Sequence, residues 1–209
     1  MASAGGCGGE AAVIVGAILA AGTGSRLGRP KALLDWQGRP LVRHLAEIAL
    51  RSGLDRVIVV AGPRAGDVRA ALRDLPVDIV YNHYFGLGQS TSVQAALGAL
   101  PPGTEAVLFL LVDQPFISPD LIRSVIDAYR RTGAPLIVPR GPGRPGNPVL
   151  FGRPLFVELL SLRGDRGGRV LIERYAHRAV TVPVRSDDVF FDIDTAEDYR
   201  AALRRLGRV

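Results

Sequence analysis

Seven consecutive apolar residues, Ala106–Val112 (AVLFLLV), constrain the fold of this chain more than any other stretch. A strand with no polar side chain on either face must be covered on both, as a central strand of a parallel sheet is. Val13–Ala20 and Arg56–Ala61 (RVIVVA) read as similar strands, and shorter ones are predicted at Val77–Tyr81, Pro135–Val138, Asn147–Phe151 and Val180–Val184. Between them, amphipathic stretches predict helices near Pro40–Ser52 and over Ala65–Arg73, Ser90–Leu100, Ser118–Arg131, Arg153–Leu160, Arg169–Tyr175 and Thr195–Leu206. Pro40 stands near a first turn with Gly53 just past the helix end, and Ser118 caps a helix with Pro119 at its first position. Strands alternating with helices of this length predict an α/β fold with a doubly wound, mostly parallel sheet in three α/β/α layers. No repeat and no long linker divides the 209 residues, so one domain is expected over residues 13–209, after a Gly/Ala-rich leader over 1–12.

The net charge of +6 suits an anionic ligand. The densest basic groups, Arg130-Arg131 and Arg204-Arg205, end predicted helices, where they complement the helix dipole. No basic tract is interleaved with aromatics, so a phosphorylated small molecule is expected as partner rather than nucleic acid. Cys7 is the only cysteine, which excludes an intrachain disulfide. The apolar run Ala11–Ala21 follows Glu10 rather than a basic flank and is too short to span a bilayer. A cytoplasmic protein with no membrane contact is expected.

In parallel α/β folds ligands bind beyond the carboxyl ends of the strands. After the first strand stands Leu19-Ala20-Ala21-Gly22-Thr23-Gly24-Ser25-Arg26-Leu27-Gly28-Arg29-Pro30-Lys31. Gly22, Gly24 and Gly28 allow tight turns that bring backbone N–H groups to an anion, with Arg26 and Lys31 adding charge. Lys31 is expected to stand open to solvent on this loop. A dinucleotide fingerprint from Gly22 would need glycine at Leu27, and a Walker A loop would need Gly-Lys-Ser/Thr at Pro30-Lys31-Ala32.

Asp113 directly follows the all-apolar strand in Asp113-Gln114-Pro115, where one carboxylate could serve Mg²⁺ or cap a turn. The segment from Asn82 to Ser92 leads into a helix that Ser90 could cap, presenting Gln89, Ser90 and Ser92 at its start. A lone loop histidine there, His83, reads as a surface residue. In Asp192-Ile193-Asp194-Thr195-Ala196-Glu197-Asp198, Asp194 or Thr195 would cap the last helix.

The first loop resembles the signature LAAGxGxRxGxPK of GT-A-like nucleotidyltransferases, and is most similar to that of the molybdenum cofactor cytidylyltransferases. The related guanylyltransferases usually carry Gly-Gly where this chain has Ala21-Gly22. Asp113-Gln114-Pro115 resembles that family's DQP and Asp192–Asp198 its DIDTPED, with Ala196 in place of proline. Gly143–Phe151 is similar to GxPGHPVLF, with Asn147 in place of histidine, and Gly164–Arg169 to GDxGAR. The resemblance implies that Gly22, Gly24, Arg26 and Lys31 hold the triphosphate, and that Ala20, Ala21, Gln89, Ser90 and Ser92 lie near the base. It further implies that Asp113, Asp194 and Asp192 hold Mg²⁺ (or Mn²⁺), and that Gly146, Asn147, Asp165 and Arg169 face the acceptor. The implied catalytic set is Lys31, Arg26 and Asp113. The implied reaction transfers CMP from CTP to a molybdopterin-type cofactor, whose product would serve a molybdenum hydroxylase of the xanthine dehydrogenase type. Another acceptor such as a sugar phosphate, use of GTP, a dinucleotide-dependent oxidoreductase and a non-enzymatic carrier remain as alternatives.

Overall fold

The structure, a computed structural model, describes residues 12–22, 24, 27–166 and 168–206. Most of the expected leader and Arg26 lie outside the described residues. Nine strands occur among the described residues: β1 (Val13–Ala20), β2 (Asp35–Trp36), β3 (Arg39–Pro40), β4 (Arg56–Ala61), β5 (Asp78–Tyr81), β6 (Thr104–Leu111), β7 (Leu136–Arg140), β8 (Val149–Gly152) and β9 (Ala179–Pro183). Seven helices accompany them: α1 (Leu41–Leu50), α2 (Ala65–Leu72), α3 (Gln89–Gly98), α4 (Pro119–Thr132), α5 (Phe156–Ser161), α6 (Arg169–Arg174) and α7 (Ala196–Leu206).

The seven-stranded sheet runs β5-β4-β1-β6-β8-β7-β9. Every neighbouring pair is parallel except the two that include β8, which runs against both β6 and β7. The three-layer, doubly wound fold is therefore as expected, with one reversed strand that periodicity does not reveal.

Alternation along β1 shows how both faces are filled. Ile14, Ile18 and Ala20 join the core under α1, α2 and α4, while Val15, Ala17 and Leu19 join the core under α3, α5 and α6. The antiparallel hairpin β2–β3 was not evident from the sequence. It inserts the fully buried Trp36 into a third, smaller cluster with Leu34, Leu41, Ile193 and Ala202. That cluster ties the segment after the first loop to the start of α7, and so decides where the ends of these distant stretches meet.

Two helix starts bear on the site. Ser118 caps α4 as expected, its Oγ accepting from Leu121 N at 3.2 Å. Ser90 does not cap α3: the helix begins one residue earlier, Gly88 takes the cap position, and Ser90 is buried within the first turn. Gly88 has φ +104°, and a Cβ there would stand 2.5 Å from the Gly164 carbonyl carbon, so only glycine fits this approach of two loops.

Candidate active site

At the carboxyl edge of the sheet, the end of β6 presents Asp113 and the first loop presents Lys31. Lys31 Nζ donates to Asp113 Oδ2 at 2.8 Å and to Asp194 Oδ1 at 2.5 Å. Three segments far apart in sequence thus meet around one nitrogen. The expectation of a solvent-open Lys31 is corrected here, since its side chain is only 17% exposed and holds two ion pairs. Burial acts to lower the Lys31 pKa, but the Asp113 and Asp194 carboxylates outweigh it and the net displacement is upward.

The backbone explains why Asp194 is free for this contact. Thr195 caps α7 instead: Asp198 N donates to Thr195 Oγ1 at 3.1 Å, and Asp198 Oδ2 accepts from Thr195 N at 2.8 Å in return. Ile193 N donates to the Asp113 carbonyl at 2.9 Å, joining the segments that carry the two carboxylates. A second link runs from Gln114 Nε2 to Asp192 Oδ1 at 2.8 Å. Asp192 therefore faces Gln114 rather than the lysine, and burial, with the charges of Asp113 and Asp194 adding to it, raises its pKa against the pull of the Gln114 hydrogen bond.

A cavity of about 540 Å³ opens beside Lys31 and Asp113 and is also lined by Ala21, Gly22, Gly24, Gln89 and Ser92. Gly24 has φ +65° and a Cβ would fall 2.0 Å from the Arg29 carbonyl oxygen, so the loop's curl depends on glycine. Two expected lining residues are elsewhere. Ala20 points into the core beneath α1, as strand alternation requires once Leu19 and Ala21 face the cavity, and Ser90 turns inward from the first turn of α3.

A second cavity of about 490 Å³ shares Leu19, Gln89, Leu111 and Asp165 with the first. Gly146, Asn147, Asp165 and Arg169 all line it, over an apolar floor that includes Phe109 and Phe151 packed edge-on with centroids 5.9 Å apart. Asp165 stands between the two cavities, its Oδ1 accepting from Gln89 N at 3.3 Å. A depression of about 450 Å³ at the opposite end of the sheet, around Leu54, Arg56 and Asp78, lies away from all these residues. Among the described residues no three His, Cys, Asp or Glu side chains cluster as a metal cage.

Residues 16–180 match the family model described as the MobA-like NTP transferase domain. The chain belongs to this family. A nicotine blue oxidoreductase of Paenarthrobacter nicotinovorans is 32% identical over 198 residues, covering 88% of this chain and 93% of that protein. The molybdenum cofactor cytidylyltransferase of Escherichia coli (strain K12) is 28% identical over 193 residues, covering 92% and 96%. Among solved structures, Rv0371c from Mycobacterium tuberculosis H37Rv gives a TM-score of 0.82 at 32% identity, over 93% of this chain and 100% of that one. A structure of Rv0371c in complex with manganese gives 0.77 at 30%, over 91% and 98%.

Sequence reasoning missed Asn82 in this MobA-like transferase. Buried at the end of β5, its Nδ2 donates to Thr91 Oγ1 (2.9 Å) and Ser92 Oγ (3.0 Å), and its Oδ1 accepts from Tyr84 N (2.9 Å). It shapes the loop that delivers Gln89 and Ser92. An asparagine directly after a strand and before a glycine-containing loop was the available signal. His83 is exposed, edge-on to Tyr81, as a surface residue would be. No helix among the described residues is long and apolar enough to cross a membrane.

Proposed function

We propose that this MobA-like transferase transfers CMP from CTP to a molybdopterin-type acceptor, with Mg²⁺ or Mn²⁺ as cofactor. The observation that carries this reading is the meeting of Lys31, Asp113 and Asp194 beside two joined cavities. Two carboxylates directed at one cation, here the Lys31 ammonium, form a donor set that suits a hard divalent ion completed by phosphate oxygens and water. Asp113 and Asp194 would hold that ion, with Asp192 behind them. When bound, the ion would neutralise charge on the reacting phosphates.

An acceptor phosphate oxygen attacks the α-phosphorus of CTP, forming one P–O bond while the bond to the departing pyrophosphate breaks. The nucleophile is already anionic, so no general base is required. This chain's contribution is position and charge: Lys31, and Arg26 by resemblance, meet the triphosphate, while Gly22 and Gly24 allow backbone N–H groups to approach it. Ala21, Gln89 and Ser92 face the base, and Gly146, Asn147, Asp165 and Arg169 face the acceptor. The product would pass to a molybdenum hydroxylase of the xanthine dehydrogenase type, in the cytoplasm, and the domain spans residues 13–209.

The likeness to an oxidoreductase favours a second reading, in which the same cavities bind a nicotinamide dinucleotide. A hydride-transfer site has no need of two carboxylates paired with a lysine, which weighs toward the transferase. Pyrophosphate release from each of the four NTPs, with molybdopterin or sugar phosphates as acceptor, tests the proposal beside a parallel assay of NAD(P)H oxidation. CTP with molybdopterin should be turned over in preference to GTP. Preference for GTP or for a sugar phosphate would overturn the specificity, and NAD(P)H oxidation without pyrophosphate release would overturn the class.

A further inference from the structure

We propose that His44, on α1, is a positioning residue that holds the Asp113-Gln114-Pro115 loop in its working geometry. The inference rests on the reading of that loop as part of the reacting site. His44 Nε2 stands 3.0 Å from the Pro115 carbonyl oxygen, and Nδ1 stands 3.3 Å from an Arg39 guanidinium nitrogen. The carbonyl can only accept and the guanidinium can only donate. The ring is thereby fixed as the neutral tautomer with its proton on Nε2, bridging a cation to the loop.

The imidazole is held in turn from several sides. Arg39 pairs with Glu47, and Glu47 accepts from Arg43 Nε at 3.0 Å. Arg43 also grips Asp74 through two N–H groups at 2.6 and 2.7 Å, which ties the chain of contacts to the residues after α2. The His44 ring lies 5.9 Å from that of Trp36, which meets Phe116 edge-on at 5.7 Å. The loop after β6 is thus anchored through its Pro115 carbonyl by His44 and through its next side chain by Trp36. Burial, aided by the Arg39 and Arg51 charges, keeps the His44 pKa below its ordinary value against the opposing influence of the Pro115 carbonyl and Glu47. His44 lines neither of the two cavities. It acts through the backbone that aims Asp113 at Lys31, where a misplacement of about 1 Å can cost up to roughly a hundredfold in rate.

The test compares wild type with His44→Phe, which keeps a ring against Trp36 but has no donor, and with His44→Gln, whose amide nitrogen can still donate to Pro115. His44→Leu serves as a second donorless variant should His44→Phe fail to fold. Amide hydrogen exchange of a peptide covering residues 111–117 should be about tenfold faster in the donorless variant, with β4 unchanged and His44→Gln close to wild type. With CTP and molybdopterin, kcat should fall on the order of tenfold in the donorless variant while KM for CTP stays within about twofold, and His44→Gln should recover most of kcat. Unchanged exchange in the donorless variant, equal losses in both variants, or faster exchange with an unaltered kcat would each overturn the inference. If wild type releases no pyrophosphate from any NTP, the proposed function fails, while the exchange arm still decides whether His44 holds the loop.

Discussion

The two cavities share a wall but are built in opposite ways. The one beside Lys31 lies over the parallel strands β1 and β6, and its wall comes largely from loops that leave strands at the carboxyl edge. The one beside Arg169 lies where β8 reverses the sheet, and its wall comes from the 144–147 segment, Asp165, Gly168 and α6. The first is held by buried or half-buried polar contacts such as Lys31 with Asp113 and Asn82 with Ser92. On the second, the Arg169 side chain is 86% exposed and, among the described residues, pairs with Glu173 alone, one turn away on its own helix. An ion-paired half beside a more exposed half would suit one constant ligand and one that selection can change by altering surface residues.

The largest expected effect tests the ion-paired half. Lys31→Ala should reduce pyrophosphate release on the order of a hundredfold or more, because in the proposed reaction the ammonium would face the charge that develops on the phosphates. It should also lower the melting temperature, since Asp113 and Asp194 would face each other without their shared cation. The sign with pH follows from the raised Lys31 pKa. The ion-pair stabilisation is fully present below the unfolded-state value of about 10.4 and is lost as pH rises through the higher folded value. The difference in melting temperature between wild type and Lys31→Ala should therefore shrink in strong alkali. A normal rate in Lys31→Ala would break the comparison outright.

A smaller effect is expected at the shared wall. Gly88→Ala puts a Cβ against the Gly164 carbonyl at a φ that alanine resists, and should destabilise the fold by about 1–3 kcal/mol in chemical denaturation. Both halves should suffer, with KM rising for nucleotide and acceptor together. A rise for only one substrate would show that the wall is not shared.

The smallest effect on stability belongs to the exposed half. Arg169→Gln should change unfolding free energy by no more than about 0.5 kcal/mol, since a solvent-exposed pair within one helix contributes little. If Arg169 meets the acceptor, KM for the acceptor should rise severalfold with KM for CTP unaltered. Equal kinetics for wild type and Arg169→Gln would remove it from the acceptor site.

The same contrast separates what was legible in the chain from what was not. β1 and β4 match their expected bounds, and the other strands and helices of the main sheet are shifted by one to three residues at one or both ends, because apolar runs and caps such as Ser118 are local signals. The hairpin β2–β3 and the reversal of β8 left no such signal: two-residue strands have no period, and strand direction depends on the partners a strand finds. Ser90 was misread because a serine at a helix start caps only if the helix begins after it, and here Gly88 permits an earlier start. The side chain of Ala20 turns into the core while Ala21 faces the cavity, a distinction that a motif does not carry, because it names a residue without naming the face it turns to.

By itself the sequence determined that Lys31, Asp113 and Asp194 stand on loops or at a helix start beside the sheet, since each follows a local pattern of apolar run, glycine turn or capping box. Only the tertiary structure decided that they meet, across sequence separations of 82 and 163 residues. That meeting depends on Trp36, Ile193 and Ala202 packing into one cluster and on Ile193 N reaching the Asp113 carbonyl. Local patterns set backbone conformation through steric and hydrogen-bonding preferences of near neighbours. The distance between two carboxylates is set by the packing of the elements that carry them, which no single stretch of sequence contains.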